Sequence, residues 1–424
     1  MSDKIIITMS TPMIIRNWCH TDRLGLIKGD ITVLIPPDLE DYLLSSCPKV
    51  DYRVLKHIPA RVRFYKKVMD IIYNGYYIKH SFSKRMIVST ILPLRQRIII
   101  RLISVILSWK VLEFFATFMK SLVGTHNISC ERLILTSPSS IFDSSVYLSH
   151  RSNKAIINEV FSWDNVSSRG FIPSYKEKFS VWNKFVKNDL MSAYHVDPSE
   201  VSITGIPFYE FARQSINELS KSVTITKPNG KSKVLYTTGE TSYLTYEPLL
   251  VKHIYFNIED LVELTIRIHP LDNLDNYKWC EKYKNIKIQI PGSLIVSGEY
   301  APTKEEYRDY FKSLGEYDVI LNIASTTSLD SLICDANVAN INFMPPIELY
   351  KGQLKISDCY KTDHYSKILA YNIIPNLQSI QELRDLLNIR KSSLIKSEKR
   401  YRQFKSDFFC VDNSKLENFN DVFN

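Results

Sequence analysis

The sequence predicts an α/β protein of two doubly wound domains, and three observations predict it. Apparent strands alternate with apparent helices along most of the chain, which implies parallel β-α-β units. The alternation stops at a polar stretch, Thr224-Ile-Thr-Lys-Pro-Asn-Gly-Lys-Ser-Lys233, and then starts again. At 424 residues the chain exceeds one ordinary core and fits two domains of roughly 150–200 residues each.

The opening Met1-Ser-Asp-Lys4, followed by Ile5-Ile-Ile-Thr8, lacks the long apolar core and small-residue cleavage site of a signal peptide and reads as a first strand, Lys4–Met9. A helical stretch near Met13–Leu24, strand Ile31–Ile35, helix Leu39–Leu44 and strand Tyr52–Leu55 follow. A basic insertion at about residues 58–125 interrupts the series. Strands resume at Arg132–Thr136, Ala155–Phe161 and Phe179–Val181, and helix Lys184–Tyr194 and strand Val201–Thr204 complete a first domain spanning 1–212. The second domain, 213–378, reads as strands Val234–Thr237, Val262–Ile268, Ile286–Ile290, Val319–Ile323, Val338–Asn342 and Ile373–Pro375. Helices near Pro248–Phe256, Lys304–Leu314, Ser328–Cys334 and Asp363–Leu369 separate them. Residues 379–424 read as a helical tail.

Composition excludes several classes. With 45% hydrophobic and 23% charged residues the chain is not largely disordered. Its seven cysteines, at 19, 47, 130, 280, 334, 359 and 410, contain no C-x-x-C pair, which excludes a zinc ribbon or a thioredoxin-type site and suits thiols in a reducing cytosol. No run of 18 uncharged apolar residues predicts a spanning helix.

The net charge of +9 is concentrated in one place. Between Arg53 and Lys120 fourteen Lys/Arg face two acids, Asp70 and Glu113, for a local net of +12, so the rest of the chain nets −3. This region is also apolar. Ile99, Leu102, Ile103 and Ile106 follow the i, i+3, i+4, i+7 rule of one helix face, with Arg97 and Arg101 beside it. A basic amphipathic helix docks on an anionic bilayer, so residues 84–120 are a candidate membrane surface. A buried helical insertion with a solvated basic rim fits the same pattern. Nucleic acid is not an expected partner, because no recognisable binding motif accompanies the charge.

In open α/β sheets ligands sit outside the carboxyl ends of the strands, so the residues just after each strand are the ones to inspect. Thr237-Thr238-Gly239-Glu240 is a small-residue turn that admits a ligand to the backbone, with Glu240 an acceptor for a ribose or sugar hydroxyl. In Thr265-Ile-Arg267-Ile-His269-Pro270, alternation puts Thr265, Arg267 and His269 on one face, and the proline stops the strand with the imidazole at its edge. Ala324-Ser325-Thr326-Thr327-Ser328-Leu-Asp330 joins a strand to a helix with four successive hydroxyls. One hydroxyl serves as a cap; four together with backbone amides suit a phosphate. Phe161-Ser-Trp163-Asp164-Asn165 ends a strand of the first domain, where Asp164 is a candidate general base and Asn165 a candidate acceptor contact. Asp-Asn also starts turns. No D-x-D, P-loop, G-x-S-x-G or H-E-x-x-H pattern occurs, so no metal site and no cofactor are expected.

Two Rossmann-like domains, with I-H-P after the second strand of the second and A-S-T-T-S-L-D after its fourth, resemble the GT-B glycosyltransferases. Within them the chain looks like the CDP-glycerol glycerophosphotransferases of bacterial surface polysaccharide synthesis, and is similar to bacterial sialyl- and Kdo-transferases with an H-P element and a Ser/Thr pair. Val181-Trp-Asn, Val201-Ser-Ile-Thr-Gly-Ile-Pro-Phe and Asp363-His364-Tyr365 carry further likeness, over roughly residues 150–390. The resemblance implies two domains facing across a cleft, with His269, Ser325 and Thr326 on the nucleotide phosphate and Asp330 orienting their loop. Thr326 stands where a second serine often sits, which keeps the hydroxyl. The expected activity is metal-independent transfer of a sugar or sugar-like group from a nucleotide-activated donor, cytidine favoured over UDP, to a glycan or lipid-linked acceptor at the inner membrane face. Thr238, Gly239, Glu240, Arg267 and Thr327 complete the expected nucleotide site. Alternatives are a UDP-sugar 2-epimerase, against which the hydroxyl-rich loop argues, and a GT-B-like module that binds glycan or membrane without turnover.

Overall fold

The computed structural model describes residues 4–123, 130–149, 155–217, 230–240, 243–349, 353–388, 397–411 and 419–423. The chain forms two compact units, Met1–Pro207 with Lys405–Asn424, and Phe208–Phe404.

In the first unit the described strands make a seven-stranded parallel sheet in the order β3-β2-β1-β4-β5-β6-β7. They are β1 Lys4–Thr8, β2 Asp30–Ile35, β3 Asp51–Val54, β4 Arg132–Leu135, β5 Ala155–Glu159, β6 Lys178–Val181 and β7 Val201–Ile203. Strand β1 is central, pairing Ile6 with Thr32 on one side and Leu133 on the other. Ile5, Ile6 and Ile7 are all buried, as expected of a strand covered on both faces. The order reverses between β1 and β4, and the buried carboxylate of Asp143 fixes that point. Its Oδ2 accepts from Ser137 N–H at 2.7 Å and from the Thr8 hydroxyl at 2.9 Å.

The basic insertion connects β3 to β4 as four helices, Ala60–Tyr77, Phe82–Thr90, Leu94–Ile106 and Trp109–Leu122. Local chemistry sets the breaks. Ser81 Oγ accepts from Lys84 N–H, Ser108 Oγ accepts from Val111 N–H, and Pro93 precedes the third helix. Tyr73 anchors the first helix, stacking on Tyr77 and Tyr194 with centroids 5.5 and 5.0 Å apart. Gly75 lets the third helix come close, since a side chain there would meet Ile103 at 2.7 Å.

The second unit carries a six-stranded parallel sheet in the order β10-β9-β8-β13-β14-β15. These are β8 Ser232–Thr237, β9 Val262–Arg267, β10 Ile286–Gln289, β13 Val319–Asn322, β14 Val338–Ile341 and β15 Asn376–Leu377. A two-stranded ribbon, β11 Ser293–Leu294 with β12 Tyr300–Ala301, lies outside the sheet. The order again reverses once, between β8 and β13. Helix Lys304–Leu314 begins with a capping box of Thr303 and Glu306.

One expectation needs correction. The last strand is Asn376–Leu377, not Ile373–Pro375: Asn372 takes a left-handed φ of +49°, Pro375 has no N–H, and pairing starts only where the Pro375 carbonyl accepts from Asn340 N–H. Residues 379–424, read from the sequence as a helical tail, divide between the two units. Ile380–Asn388 belongs to the second unit, whereas the segment from Lys405 belongs to the first. There, Asn183 Nδ2 donates to the Phe408 carbonyl, and Phe419 and Phe423 pack edge-on against Trp18. The leading segment of the first unit ends at Pro207, where the sequence reading put the boundary at 212; of the polar stretch from Thr224, residues 224–229 lie outside the described residues.

Candidate nucleotide site

Strands β9, β8 and β13 are adjacent and parallel, so their carboxyl ends share one edge, with the reversal between β8 and β13 in the middle. Three of the sequence candidates follow these three strands.

The turn after β8 is fixed by two carboxylates. Gly239 N–H donates to Glu247 Oε2 at 2.8 Å, and Tyr236 donates to Glu247 Oε1 at 3.0 Å. Glu247 is buried, and burial pushes its carboxyl up to about 7 against the lowering effect of those two donors. Thr238 accepts the backbone N–H of His269 at 2.9 Å and donates to Asp272 Oδ2 at 3.3 Å. Asp272 also accepts from the Tyr277 hydroxyl at 2.9 Å. Glu240 stands half-buried beside this turn.

After β9, burial alternates as the sequence suggested: Leu264, Ile266 and Ile268 are inside, and Thr265, Arg267 and His269 are half-buried. The His269 imidazole accepts Leu271 N–H at Nδ1, 3.2 Å away. That leaves Nε2 carrying the proton in the neutral ring, as a donor for a ligand. Burial holds its pKa below the usual histidine range, while Glu240 and Asp272 act in the opposite sense. The Arg267 guanidinium lies 4.3 Å from the Tyr310 ring centroid, and Tyr310 in turn donates to Asp330 Oδ2 at 2.9 Å.

The loop after β13 is more self-contained than four successive hydroxyls suggest. Ala324 takes φ +43°, a conformation that costs a non-glycine residue about 1 kcal/mol or more. Asn322 holds it, its Oδ1 accepting from Ser325 N–H at 3.1 Å and Ser328 Oγ at 3.0 Å. Ser325 Oγ accepts from Thr327 N–H, and Ser328 meets the Tyr365 hydroxyl at 2.8 Å. Several hydroxyls and amides that the sequence offered to a phosphate thus also build the loop. Thr326 is exposed at the start of the short helix Thr327–Ile333, which has no side-chain cap there. Asp330 reaches Tyr310 as well, so it ties the loop to the helix under Arg267.

In the first unit Asp164 opens the short helix Asn165–Ser168. Its Oδ1 accepts from Ser162 Oγ at 2.5 Å and its Oδ2 from Ser168 Oγ at 2.9 Å, the turn role that Asp-Asn allows. Asn165 is buried rather than presented at the surface. Sequence reasoning missed Glu247, Asp272 and Tyr310. Asp272 was within reach, two residues beyond His269-Pro270; Glu247 and Tyr310 sit on helices and reach the edge only through the fold.

The insertion turns its apolar side outward. Leu102 is 67% exposed, Ile106 77% and Phe114 67%, and Arg95, Arg101 and Lys110 are exposed with them. Ile100 points inward and Ile103 packs on Gly75, whereas Ile99, Leu102 and Ile106 of the predicted face are exposed. No helix among the described residues is long and apolar enough to cross a membrane.

No family model matches the chain, and no curated protein matches it by sequence. Solved structures do. The wall teichoic acid polymerase TagF superposes with a TM-score of 0.50 at 12% identity, over 99% of this chain and 88% of that one. A form of TagF soaked with CDPG gives the same score at 12% identity, over 99% and 87%. The UDP-GlcNAc 2-epimerase of Methanocaldococcus jannaschii matches with a TM-score of 0.48 at 11% identity, over 95% and 98%. The likeness to TagF is one of fold: two Rossmann-type units in tandem, the GT-B plan.

Proposed function

We propose that the chain is a glycosyltransferase-type enzyme that takes a sugar or sugar-like group from a nucleotide-activated donor and passes it to a glycan or lipid-linked acceptor. The carrying observation is the meeting of the 238–240 turn, Arg267 with His269, and the 325–327 loop at the carboxyl edge beside the strand reversal of the second sheet. That edge offers a neutral imidazole donor, a guanidinium and hydroxyls, the chemistry that holds a diphosphate and a ribose. In this reading His269 Nε2 and Thr326 meet phosphate oxygens, Arg267 supplies positive charge, and Glu240 accepts from a ribose or sugar hydroxyl. A cytidine nucleotide is favoured by resemblance, in keeping with the CDPG soaked into TagF. No metal ligand is assigned. Asp164 remains the proposed carboxylate for the acceptor, with the Ser162 and Ser168 bonds fixing its position.

The exposed apolar and basic face of residues 94–122 holds the enzyme on an anionic bilayer in this reading, where lipid-linked acceptors reside. The test of the nucleotide site is a thermal-shift panel of CMP, CDP, UDP and GDP with and without Mg²⁺. A ligand at about 100 times its Kd stabilises by about 2.7 kcal/mol, so one responding nucleotide names the donor class. Silence from all four in a folded sample would remove the transferase reading.

A further inference from the structure

Within the first unit, a cavity of about 450 Å³ lies between the insertion helices and the carboxyl edge of the sheet. Ser139, beyond β4, and the Ser168–Gly170 segment, beyond β5, form its sheet side. Strand β4 flanks the reversal of strand order, so the cavity stands where open α/β sheets receive ligands. The size suits a group as large as a sugar phosphate.

Its charge is one-sided. Arg63, Lys66, Lys67, Lys84 and Arg169 line it against the single carboxylate of Asp70. Two of these cations are built into the walls. Lys84, 1% exposed, donates from Nζ to the carbonyls of Ser168 and Arg169, and Lys66, 5% exposed, pairs with Asp70. Asp70 Oδ1 also accepts from Phe171 N–H at 2.7 Å, so the acid is consumed in holding the wall. The remaining three, Arg63, Lys67 and Arg169, are exposed and form no ion pair among the described residues. Three uncompensated cations around one concavity leave a field that an anion relieves.

A second demand comes from Asn74, seven residues beyond Lys67 on the same helix and also lining the cavity. Its amide oxygen is buried without a hydrogen-bond partner. An unmet buried acceptor costs about 1–3 kcal/mol, and rotation of the amide toward the cavity that Asn74 lines would let a ligand hydroxyl meet it. Inorganic phosphate near neutral pH carries O–H donors only on the group that the cations hold, whereas an ester carries hydroxyls beyond it that reach a separate position.

We propose that this cavity binds a phosphate ester that also carries hydroxyl groups, the phosphate held by Arg63, Lys67 and Arg169 and a hydroxyl donating to Asn74. Its role as the acceptor's binding site rests on the transferase reading above; the binding itself does not.

Isothermal titration of the full chain at low salt tests this with glucose 6-phosphate, inorganic phosphate and glucose as probes. Glucose 6-phosphate binds, inorganic phosphate binds more weakly, and glucose gives no signal. The double variant Arg63→Glu/Lys67→Glu changes two exposed side chains, so it keeps its melting temperature, and it loses about tenfold or more in ester affinity. Asn74→Leu removes the preference of ester over inorganic phosphate. Absence of ester binding to the folded chain, or undiminished affinity in the folded double variant, overturns the proposal. Equal affinity for ester and inorganic phosphate overturns the role given to Asn74. Dihexanoyl phosphatidylglycerol, titrated below its micelle concentration, separates the two sources: tighter binding than the sugar phosphate assigns the pocket to a lipid headgroup, and weaker binding to a soluble ester. Nucleotide binding is measured in the same samples. Ester binding without nucleotide binding removes the transferase reading and leaves the pocket; the reverse removes the pocket alone.

Discussion

The Thr238 hydroxyl accepts the backbone N–H of His269 at 2.9 Å, joining the ends of β8 and β9 where the strands stop pairing. The imidazole at this edge is therefore set by a side chain from the neighbouring strand. Thr238→Val keeps the shape and leaves that N–H and Asp272 short of a partner, at a cost of about 1–3 kcal/mol. Nucleotide affinity falls in the valine variant and is retained in Thr238→Ser, which keeps the oxygen. Loss in the serine variant with retention in the valine variant would show that the methyl, not the hydrogen bond, matters.

His269→Ala removes the Nε2 donor from the edge. Its Nδ1 partner, Leu271 N–H, lies beside an exposed leucine and can turn to water. Folding is preserved, and nucleotide binding weakens by about tenfold, the value of one good charge-assisted hydrogen bond. Titration calorimetry with the nucleotide that responds in the melting panel checks this. A folded variant of unchanged affinity removes His269 from the site.

Glu247 gives the protein a pH signature. Its carboxyl is raised by burial to about 7 from an ordinary value of 4.5. Between those values the unfolded chain has lost the proton and the folded chain keeps it, so the contribution is fully present below about 4.5 and is lost as pH rises towards 7. Asp143, raised by burial to about 6, acts in the same sense over a narrower window. Glu247→Gln mimics the protonated acid, its amide NH₂ donating to Tyr236 and its oxygen accepting from Gly239. The variant matches the parent at about pH 4 and exceeds it by about 3 kcal/mol at about pH 8. Denaturant unfolding at the two pH values measures the difference, and a constant offset would contradict the assignment.

The insertion's outward face predicts binding to vesicles. Arg95, Arg101 and Lys110 are exposed beside Leu102 and Ile106. With about 1 kcal/mol per basic residue near an anionic surface, changing all three to glutamine weakens binding to phosphatidylglycerol vesicles by about a hundredfold. Leu102→Asp/Ile106→Asp weakens it as well by removing the inserted area. Cosedimentation at two ionic strengths separates the contributions. Indifference of both variants would leave the apolar face without a bilayer.

How much of this was legible depends on range. Strands such as Lys4–Thr8 and helices such as Lys184–Tyr194 and Lys304–Leu314 carry their own periodicity and caps, and their places follow from it. His269 and the 325–327 loop could be placed at strand ends because local pattern locates strand ends. What could not be read is what arrives from elsewhere in the chain. Glu247 reaches Gly239 from eight residues on, and Tyr310 reaches Arg267 from a later helix. The apolar positions of Leu94–Ile106 fixed a helix but not its orientation, since the same stripe serves a core or a surface. The return of the segment from Lys405 to the first unit depends on aromatic contacts that no local pattern announces.

That return centres on a buried ion pair. Arg23, 6% exposed, donates to Glu159 Oε1 at 2.5 Å, while Trp18 Nε1 donates to Oε2 at 2.7 Å. The guanidinium lies 4.5 Å from the Trp18 ring centroid and 4.5 Å from that of Phe419, so the last helix closes over the pair. Desolvating both charges offsets much of their attraction, and the pair itself adds little net stability. Removing one partner is different, because the other stays buried and uncompensated. Arg23→Ala therefore costs about 3–5 kcal/mol, whereas Arg23→Met/Glu159→Gln, which takes out both charges, costs much less. Phe419→Ala falls between them, because it opens the pair to water without breaking it. Chemical unfolding of the three variants orders them. A double variant as unstable as Arg23→Ala would mean that packing around Trp18, rather than the unpaired carboxylate, sets the loss.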